Sequence, residues 1–316
     1  MVDRRSFLGA SAAFLVAGFP GQPVRGQPPG EISIGYQKNG VLVVAREQGV
    51  LEQHFAPLGV KVSWLDFPSG PPMLEAMNAG SVDFGQVGDT PPIFAQAGGA
   101  KIVYVAGQAI TNGQGILVKS GSAIRALADL KGKRVGFTKG SSAHNVVILA
   151  LEKAGLQYSE ITPVYLSPPD GLAAFARDSI DAWAVWDPYF AIGETKDSAR
   201  ILVTAREVGK TNSFYIANRD FAARSPQLVS GVIDVLANAA DWAESHRGEV
   251  GRLMANVTGV DVDIQTLAAQ RSSFAIGKIT ADIIATQQAV ADRFFRLGLI
   301  PHAIAVREAV WTTNQF

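Results

Sequence analysis

Cysteine is absent from the 316-residue chain, and histidine occurs only four times. The first absence excludes a disulfide framework, and it excludes a lipoprotein anchor, which is built on an N-terminal cysteine. The second leaves His54, His144, His246 and His302 without the spacing of metal ligands. Neither sign of charge is in surplus, with 28 basic and 28 acidic residues, so the basic footprint of a general nucleic-acid binder is missing. Charged residues make up 18% and hydrophobic ones 47%, a balance that excludes a disordered chain. After the first 30 residues, charged positions interrupt every apolar run, so no later segment reads as a transmembrane helix. A P-loop and a Gly-x-Ser-x-Gly elbow are also lacking. Ser142 and His144 lie two apart at one helix start, a spacing that does not bring them face to face. What remains is a chain whose length suits two domains with substantial cores.

The N-terminus reads as an address. Asp3-Arg4-Arg5-Ser6-Phe7-Leu8 is followed by an apolar run to Phe19 and a loop rich in Pro and Gly. A positive start, a short apolar middle and a small-residue exit describe a secretory signal over residues 1–26. The run falls short of the ~20 residues that span a bilayer. Paired arginines followed by Ser-Phe-Leu match a twin-arginine signal, while Gly9, where that pattern often has lysine, leaves Sec export open. Val24-Arg25-Gly26 suits cleavage, which would remove Asp3, Arg4, Arg5 and Arg25 and leave a slightly acidic mature chain. With no lipid anchor, that chain is expected free in the periplasm.

Strand and helix signals then alternate. Strands are expected at Glu31–Tyr36, Val60–Leu65, Asp83–Gln86, Lys101–Ala106 and Gly115–Val118. Helices are expected at Val41–Phe55, Pro72–Ala79 and Pro91–Gln96. The rhythm restarts after Lys119, with strands at Arg134–Phe137, Ile161–Leu166, Ala182–Trp186, Arg200–Val203 and Ser213–Ala217. Helices there are Ala143–Ala154, Gly171–Ala176 and one opening at Pro188. From Phe221 onward the pattern is almost wholly helical, with long stretches at Gln227–Glu244 and Ala281–Leu297. This βα alternation predicts an α/β protein with largely parallel sheets flanked by helices. Two such blocks and a helical tail predict two lobes. The first comprises residues 27–114 and 215–316, the second residues 115–214. The chain is expected to cross near Gly113–Val118 and Thr211–Tyr215, with the ligand cleft between the lobes and a hinge motion around it.

In open α/β sheets, ligands bind beyond the carboxyl ends of strands, where helix N-termini favour anions. Several turns occupy that position. In Lys139-Gly140-Ser141-Ser142-Ala143-His144-Asn145, Ser141 reads as an N-cap and no proline removes a donor. His144 there is either a neutral hydrogen-bond donor or an ordinary satisfied histidine. In Gly88-Asp89-Thr90-Pro91-Pro92, Thr90 reads as the cap and Pro91 as the first helical residue. Asp89 would repel an anion, so it either points away to hold the turn or faces a polar or cationic part of a ligand. Phe67 to Pro72 offers Ser69 and the Gly70 amide. In Trp186-Asp187-Pro188-Tyr189, Asp187 caps, and Trp186 is either an apolar wall or core packing. Gln37 and Lys38 end the first strand in the same geometric position. Donors gathered at strand ends of both lobes describe a cleft for a small organic anion.

These segments, Gly35 to Lys38, Phe67 to Pro72, Gly88 to Gln96, Lys139 to Asn145 and Trp186 to Tyr189, resemble the aliphatic sulfonate-binding proteins of bacterial ABC importers. The likeness covers nearly the whole chain after residue 26, in the right order. It implies a two-lobed, type II-like periplasmic binding protein fold without cofactor, metal or catalytic residues. Its partners would be a small organic anion, a membrane permease and, through that, an ATPase. It implies a headgroup site at Ser69–Gly70, Gly88–Thr90 and Ser141–Ser142, assisted by Gln37, Lys38, Gln114, His144 and Asn145. Trp186 and Tyr215 would contact the organic tail, and Asp187 belongs to the same ligand-binding set. A taurine, nitrate or aromatic sulfonate binder is the alternative within this class. A secreted enzyme with His144 or Asp89 as base, or a ligand-sensing receptor subunit, is the alternative outside it.

Overall fold

The computed structural model describes residues 30–109, 112–196 and 199–312. The expected signal peptide at residues 1–26 lies outside the described residues. Among those described, no helix is long and apolar enough to cross a membrane.

The first half alternates as its apolar spacing demands. Strands β1 (Glu31–Tyr36), β2 (Lys61–Asp66), β3 (Phe84–Gly88) and β4 (Ile102–Ala109) are separated by helices α1 (Gly40–Gln48), α2 (Val50–Phe55), α3 (Gly70–Asn78) and α4 (Thr90–Ala97). The expected helix Val41–Phe55 is broken at Gly49, whose φ of 64° is left-handed and ends α1 by bonding back to Ala45 and Arg46. The second half holds β5 (Gln114–Lys119), β6 (Arg134–Phe137), α5 (Ser142–Ala154), β7 (Thr162–Tyr165), α6 (Pro168–Ala176), β8 (Ala182–Trp186), α7 (Tyr189–Lys196) and β9 (Ala199–Thr204). A short helix α8 (Ala205–Val208) leads back to β10 (Asn212–Asn218), and α9 (Arg219–Arg224), α10 (Pro226–Ser245), α11 (Arg247–Thr258), α12 (Val262–Arg271) and α13 (Ala281–Arg296) follow.

Two five-stranded sheets result, ordered β2-β1-β3-β10-β4 and β7-β6-β8-β5-β9. Four strands of each sheet run one way and the fifth runs against them, so both sheets are mixed but mainly parallel in direction. The reversed strands are β10, antiparallel to β3 and β4, and β5, antiparallel to β8 and β9. These are the strands that arrive from the other half. A chain that leaves one sheet at the cleft edge enters the next from that same edge, and so must point away from the cleft.

Burial follows the layers. One face of the first sheet packs Ile32, Ile34 and Phe84 against α1 and against Leu228, Val232 and Leu236 of α10. The other face packs Met73, Ile93 and Tyr104 against Val290 and Phe294 of α13. The C-terminal helices therefore cover both faces of the first sheet. The second sheet buries Val135, Phe137, Val146 and Val147 on its α5 side, and Leu117, Phe175, Trp183 and Phe190 on the other. The tail departs from a wholly helical reading at residues 272–280, an extended stretch that pairs Gly277 with Gly107.

Leu236 is fully buried between α10 and the sheet. Leu236→Ala is expected to cost about 2–5 kcal/mol of unfolding free energy, read as a lowered urea midpoint. A change under about 1 kcal/mol would mean that α10 is not part of this core.

Candidate functional site

All the βα turns named above open on the gap between the two sheets. There a cavity of about 100 Å³ is lined from one side by Gln37, Asn39, Gly40, Gly70, Gln86, Val87, Gly88, Gln108, Ser213, Ser272 and Ser273. From the other side it is lined by Gly113, Gln114, Ser141, Ser142, Trp186 and Asp187. Its side chains are mainly amides and hydroxyls, with Val87 and Trp186 as the apolar exceptions. Among the described residues that line it there is no lysine or arginine, and the single carboxyl belongs to Asp187.

Three helices begin on this wall, with first residues Gly40 of α1, Gly70 of α3 and Ser142 of α5. Each is preceded by an N-cap residue whose side chain accepts no helix N–H: Asn39, Ser69 and Ser141. The Ser141 hydroxyl donates backward to the Thr138 carbonyl at 2.7 Å, and Asn39 Nδ2 donates to the Asp187 carbonyl at 3.1 Å. Ser141 is the N-cap residue of α5, as expected, but its hydroxyl bonds backward instead of to a helix N–H. Helix geometry gives the first N–H groups no intrahelical partner, so these three starts present amides and partial positive charge to the cavity. Gly40 has a φ of 78°, and a Cβ there would lie 2.8 Å from Gln86 Oε1, so only glycine lets the α1 start approach this closely.

The amides form a ladder beside these starts. Gln37 Nε2 donates to the Gln86 carbonyl at 3.2 Å, Gln86 Nε2 donates to Gln108 Oε1, and Gln108 Nε2 donates to the Ser273 carbonyl. Gln114 is 7% exposed, and its Nε2 has no hydrogen-bond partner among the described residues. Register sets Gln114 directly opposite Trp186 on β8, so a buried donor and an indole share one corner of the cavity.

Asp187 Oδ1 accepts the Ala191 N–H at 3.0 Å, holding the start of α7. Burial pushes its carboxyl up to about 7, against the pull of Arg271, whose Nε stands 3.7 Å from Oδ2. Arg271 is shared with Glu194, its Nη2 lying 2.8 Å from Oε2, so its charge only partly offsets the burial.

Seven residues expected at the ligand do not line the cavity. Lys38 turns toward Asp66 on the surface, at 3.9 Å. Ser69 is 3% exposed, behind Gly70. Asp89, not Thr90, is the residue before α4, and its carboxyl is turned inward. There it accepts from Thr90 Oγ1 at 2.8 Å and from Asn145 Nδ2 at 2.7 Å, so all three side chains bond one another rather than the cavity. Burial raises the Asp89 carboxyl to about 6 against those bonds. His144 is stacked on Phe137 at 4.8 Å, its Nδ1 accepts the Gly140 N–H at 3.3 Å, and its Nε2 faces the Tyr158 hydroxyl at 3.0 Å. Burial, with a smaller contribution from Lys139, pushes it down to about 3 and keeps it neutral. Tyr215 is wholly buried against Phe84 inside the first sheet. Conversely, sequence reasoning missed nine lining residues: Asn39, Gly40, Gln86, Val87, Gln108, Gly113, Ser213, Ser272 and Ser273. Gln86 and Gln108 had a readable signal, since each is a polar residue within an otherwise apolar strand. Among the described residues, no group of three or more His, Asp or Glu is placed to hold a metal.

The family model described as NMT1/THI5 like matches residues 39–249. The alkanesulfonate-binding protein of Xanthomonas axonopodis pv. citri, solved bound to MOPS, is 40% identical. Its TM-score is 0.86 over 90% of this chain and 98% of that one. The periplasmic aliphatic sulphonate binding protein of Escherichia coli is 38% identical, with a TM-score of 0.81 over 91% of this chain and 94% of that one. A desulfurization enzyme at 18% identity, with a TM-score of 0.64 over 89% of this chain and 97% of its own, shares the fold alone.

Two predictions follow from the geometry. A Cβ at Gly88 would lie 2.6 Å from Ser142 Cβ across the gap. Gly88→Ala is therefore expected to hold the halves apart, raising the radius of gyration in small-angle scattering while the chain stays folded; an unchanged radius would refute the contact. The second concerns pH. Folded Asp187 keeps its proton up to about 7, whereas an exposed aspartate in the unfolded chain releases it near 3.8. The folded state then holds the extra proton between those values, so this group makes stability fall as pH rises through them. His144 acts oppositely, its contribution being lost as pH falls from 6.5 toward 3. In Asp187→Asn the decline due to the carboxyl should vanish, so urea midpoints measured across that window should slope upward with pH more than in the parent. Parallel slopes would overturn the assignment.

Proposed function

The chain belongs to the NMT1/THI5-like family, and on that footing we propose that it is the solute-binding component of an ABC importer, capturing aliphatic sulfonates and delivering them to a membrane permease and its ATPase. One observation carries this reading: three uncapped helix starts from two lobes converge on a cavity with no cationic side chain. A sulfonate spreads one negative charge over three oxygens and stays ionised at any physiological pH, so its burial requires several donors at once. The amides at Gly40, Gly70 and Ser142, the Ser142 hydroxyl and the Gln37 and Gln114 amides supply them. Charge-assisted bonds of this kind contribute roughly 1.5–3 kcal/mol each. Trp186 gives the organic tail an apolar wall. Export by the signal at residues 1–26, and release into the periplasm, belong to the same reading.

With no cationic side chain among the described lining residues, amide and hydroxyl donors offset one negative charge more readily than two, which favours a singly charged guest over sulfate. His144 and Asp89, the bases an enzyme reading would use, lie outside the cavity. Lobe closure around the guest would bury it and form the surface that the permease reads.

Calorimetry at pH 7 with propanesulfonate, hexanesulfonate, taurine, nitrate and sulfate tests the reading. Alkanesulfonates are expected to bind with Kd of about 1 μM, near −8 kcal/mol, and Ser142→Ala to lose about 1–2 kcal/mol. Heat with sulfate or nitrate and none with any sulfonate would refute the substrate assignment.

A further inference from the structure

Asp89 and Asn145 are 1% and 0% exposed, and they belong to different halves of the molecule. Asp89 follows β3 of the first sheet; Asn145 lies one turn into α5, which packs on the second. Their side chains meet at 2.7 Å, with Asn145 Nδ2 donating to Asp89 Oδ2. The other acceptors of Asp89 and Asn145 are also engaged. Asp89 Oδ1 accepts from Thr90 Oγ1 at 2.8 Å, and the Asp89 carbonyl accepts from Gln287 Nε2 at 2.6 Å. Asn145 Oδ1 lies 3.5 Å from Arg293 Nη1, and Arg293 Nε in turn donates to Glu152 at 2.9 Å. The junction therefore joins α4, α5 and α13 without reaching the cavity.

Its position relative to the cavity is what gives it a consequence. Gly88, the residue before Asp89, and Ser142, three residues before Asn145 on the same helix face, both line the cavity and touch each other. Whatever holds Asp89 against Asn145 thus fixes the β3 turn against the α5 start. We propose that Asp89 and Asn145 are a positioning pair, a buried tie between the lobes that sets the register of their two donor turns and acts as the pivot of closure. A tie so desolvated is costly to break, because opening it would strand a carboxylate and an amide away from water. The lobes then swing about this point rather than separate at it. The argument deepens the sulfonate reading and rests on it for its binding readout only.

The bonding pattern allows a reciprocal test. Asn145→Asp places two carboxyl groups together and breaks the tie, whereas Asp89→Asn can turn its amide oxygen toward Asn145 Nδ2 and its NH₂ toward the Thr90 hydroxyl, and so keeps it. The double variant Asp89→Asn/Asn145→Asp restores one donor and one acceptor with the roles exchanged. The new amide oxygen can still accept from Thr90, and the new carboxylate can still accept from Arg293. Asn145→Asp is expected to raise the Kd for propanesulfonate at least about tenfold and the ligand-free radius of gyration as well, Asp89→Asn to stay close to the parent, and the exchange to return Kd to within about threefold of the parent. An Asn145→Asp variant that matches the parent in both readouts overturns the proposal, as does an exchange no better than Asn145→Asp alone. Should a single variant fail to fold, the exchange still decides. The scattering arm needs no ligand. If the parent binds no sulfonate while the radii shift and recover as stated, the sulfonate reading falls and the tie stands. If sulfonate binds every variant equally and the radii do not move, the tie falls and the sulfonate reading stands.

Discussion

The constraint from which the rest of the architecture follows is that several helix starts face one gap, with no cationic side chain among the described lining residues. Under the proposed function, this is what buries an anion without a counter-charge. A lysine or arginine in the wall would satisfy the charge, yet it would hold the guest tightly and attract any anion. Partial charges at helix starts do the same work in smaller increments, and they are fixed by the backbone rather than by flexible side chains. They also demand that several helices begin at one point. An α/β sheet supplies this at its carboxyl edge, and two sheets facing each other double the number. The caps give up their usual role accordingly: Asn39 and Ser141 spend their polar atoms on other partners.

Around this wall lies a shell that bonds away from the cavity. His144, Asp89, Thr90 and Asn145 hold the turns in place from behind. Their chemistry resembles that of a ligand site because they are polar, buried and close to one. Their partners, however, are the two lobes. The carboxyl of Asp89, at about 6, and the imidazole of His144, at about 3, are shifted by burial, as expected of groups that support a site without facing its guest.

The alternation of strand and helix signals made both sheets legible, because each turn carried its own glycine, serine or proline punctuation. Ser142, Gly70, Gly88, Gln37 and Trp186 were readable as cleft residues for the same reason. Depth was not readable. Ser213 and Tyr215 share one face of β10, but a strand advances about 3.3 Å per residue, so two positions carry Tyr215 from the rim into the core. Rotation was not readable either. His144 and Asn145 follow Ser142 on the same helix, yet their contacts depend on Phe137 and Asp89, which are fixed by other elements. Ser272 and Ser273 carried no signal at all, since they sit between two helices far along the chain and reach the cavity only through the extended stretch that pairs with Gly107.

The placement of β10 bears on how the molecule is made. It separates β3 from β4, so the fourth strand cannot join its own sheet until the chain has been synthesised through residue 218. The earlier half must wait, with β4 unpaired on that side, while the second sheet is threaded and the chain returns. The second sheet draws all its strands from residues 114–204, but the first is not a self-sufficient folding unit, and a ribosome-bound fragment ending before Asn212 would lack the strand that joins β3 to β4.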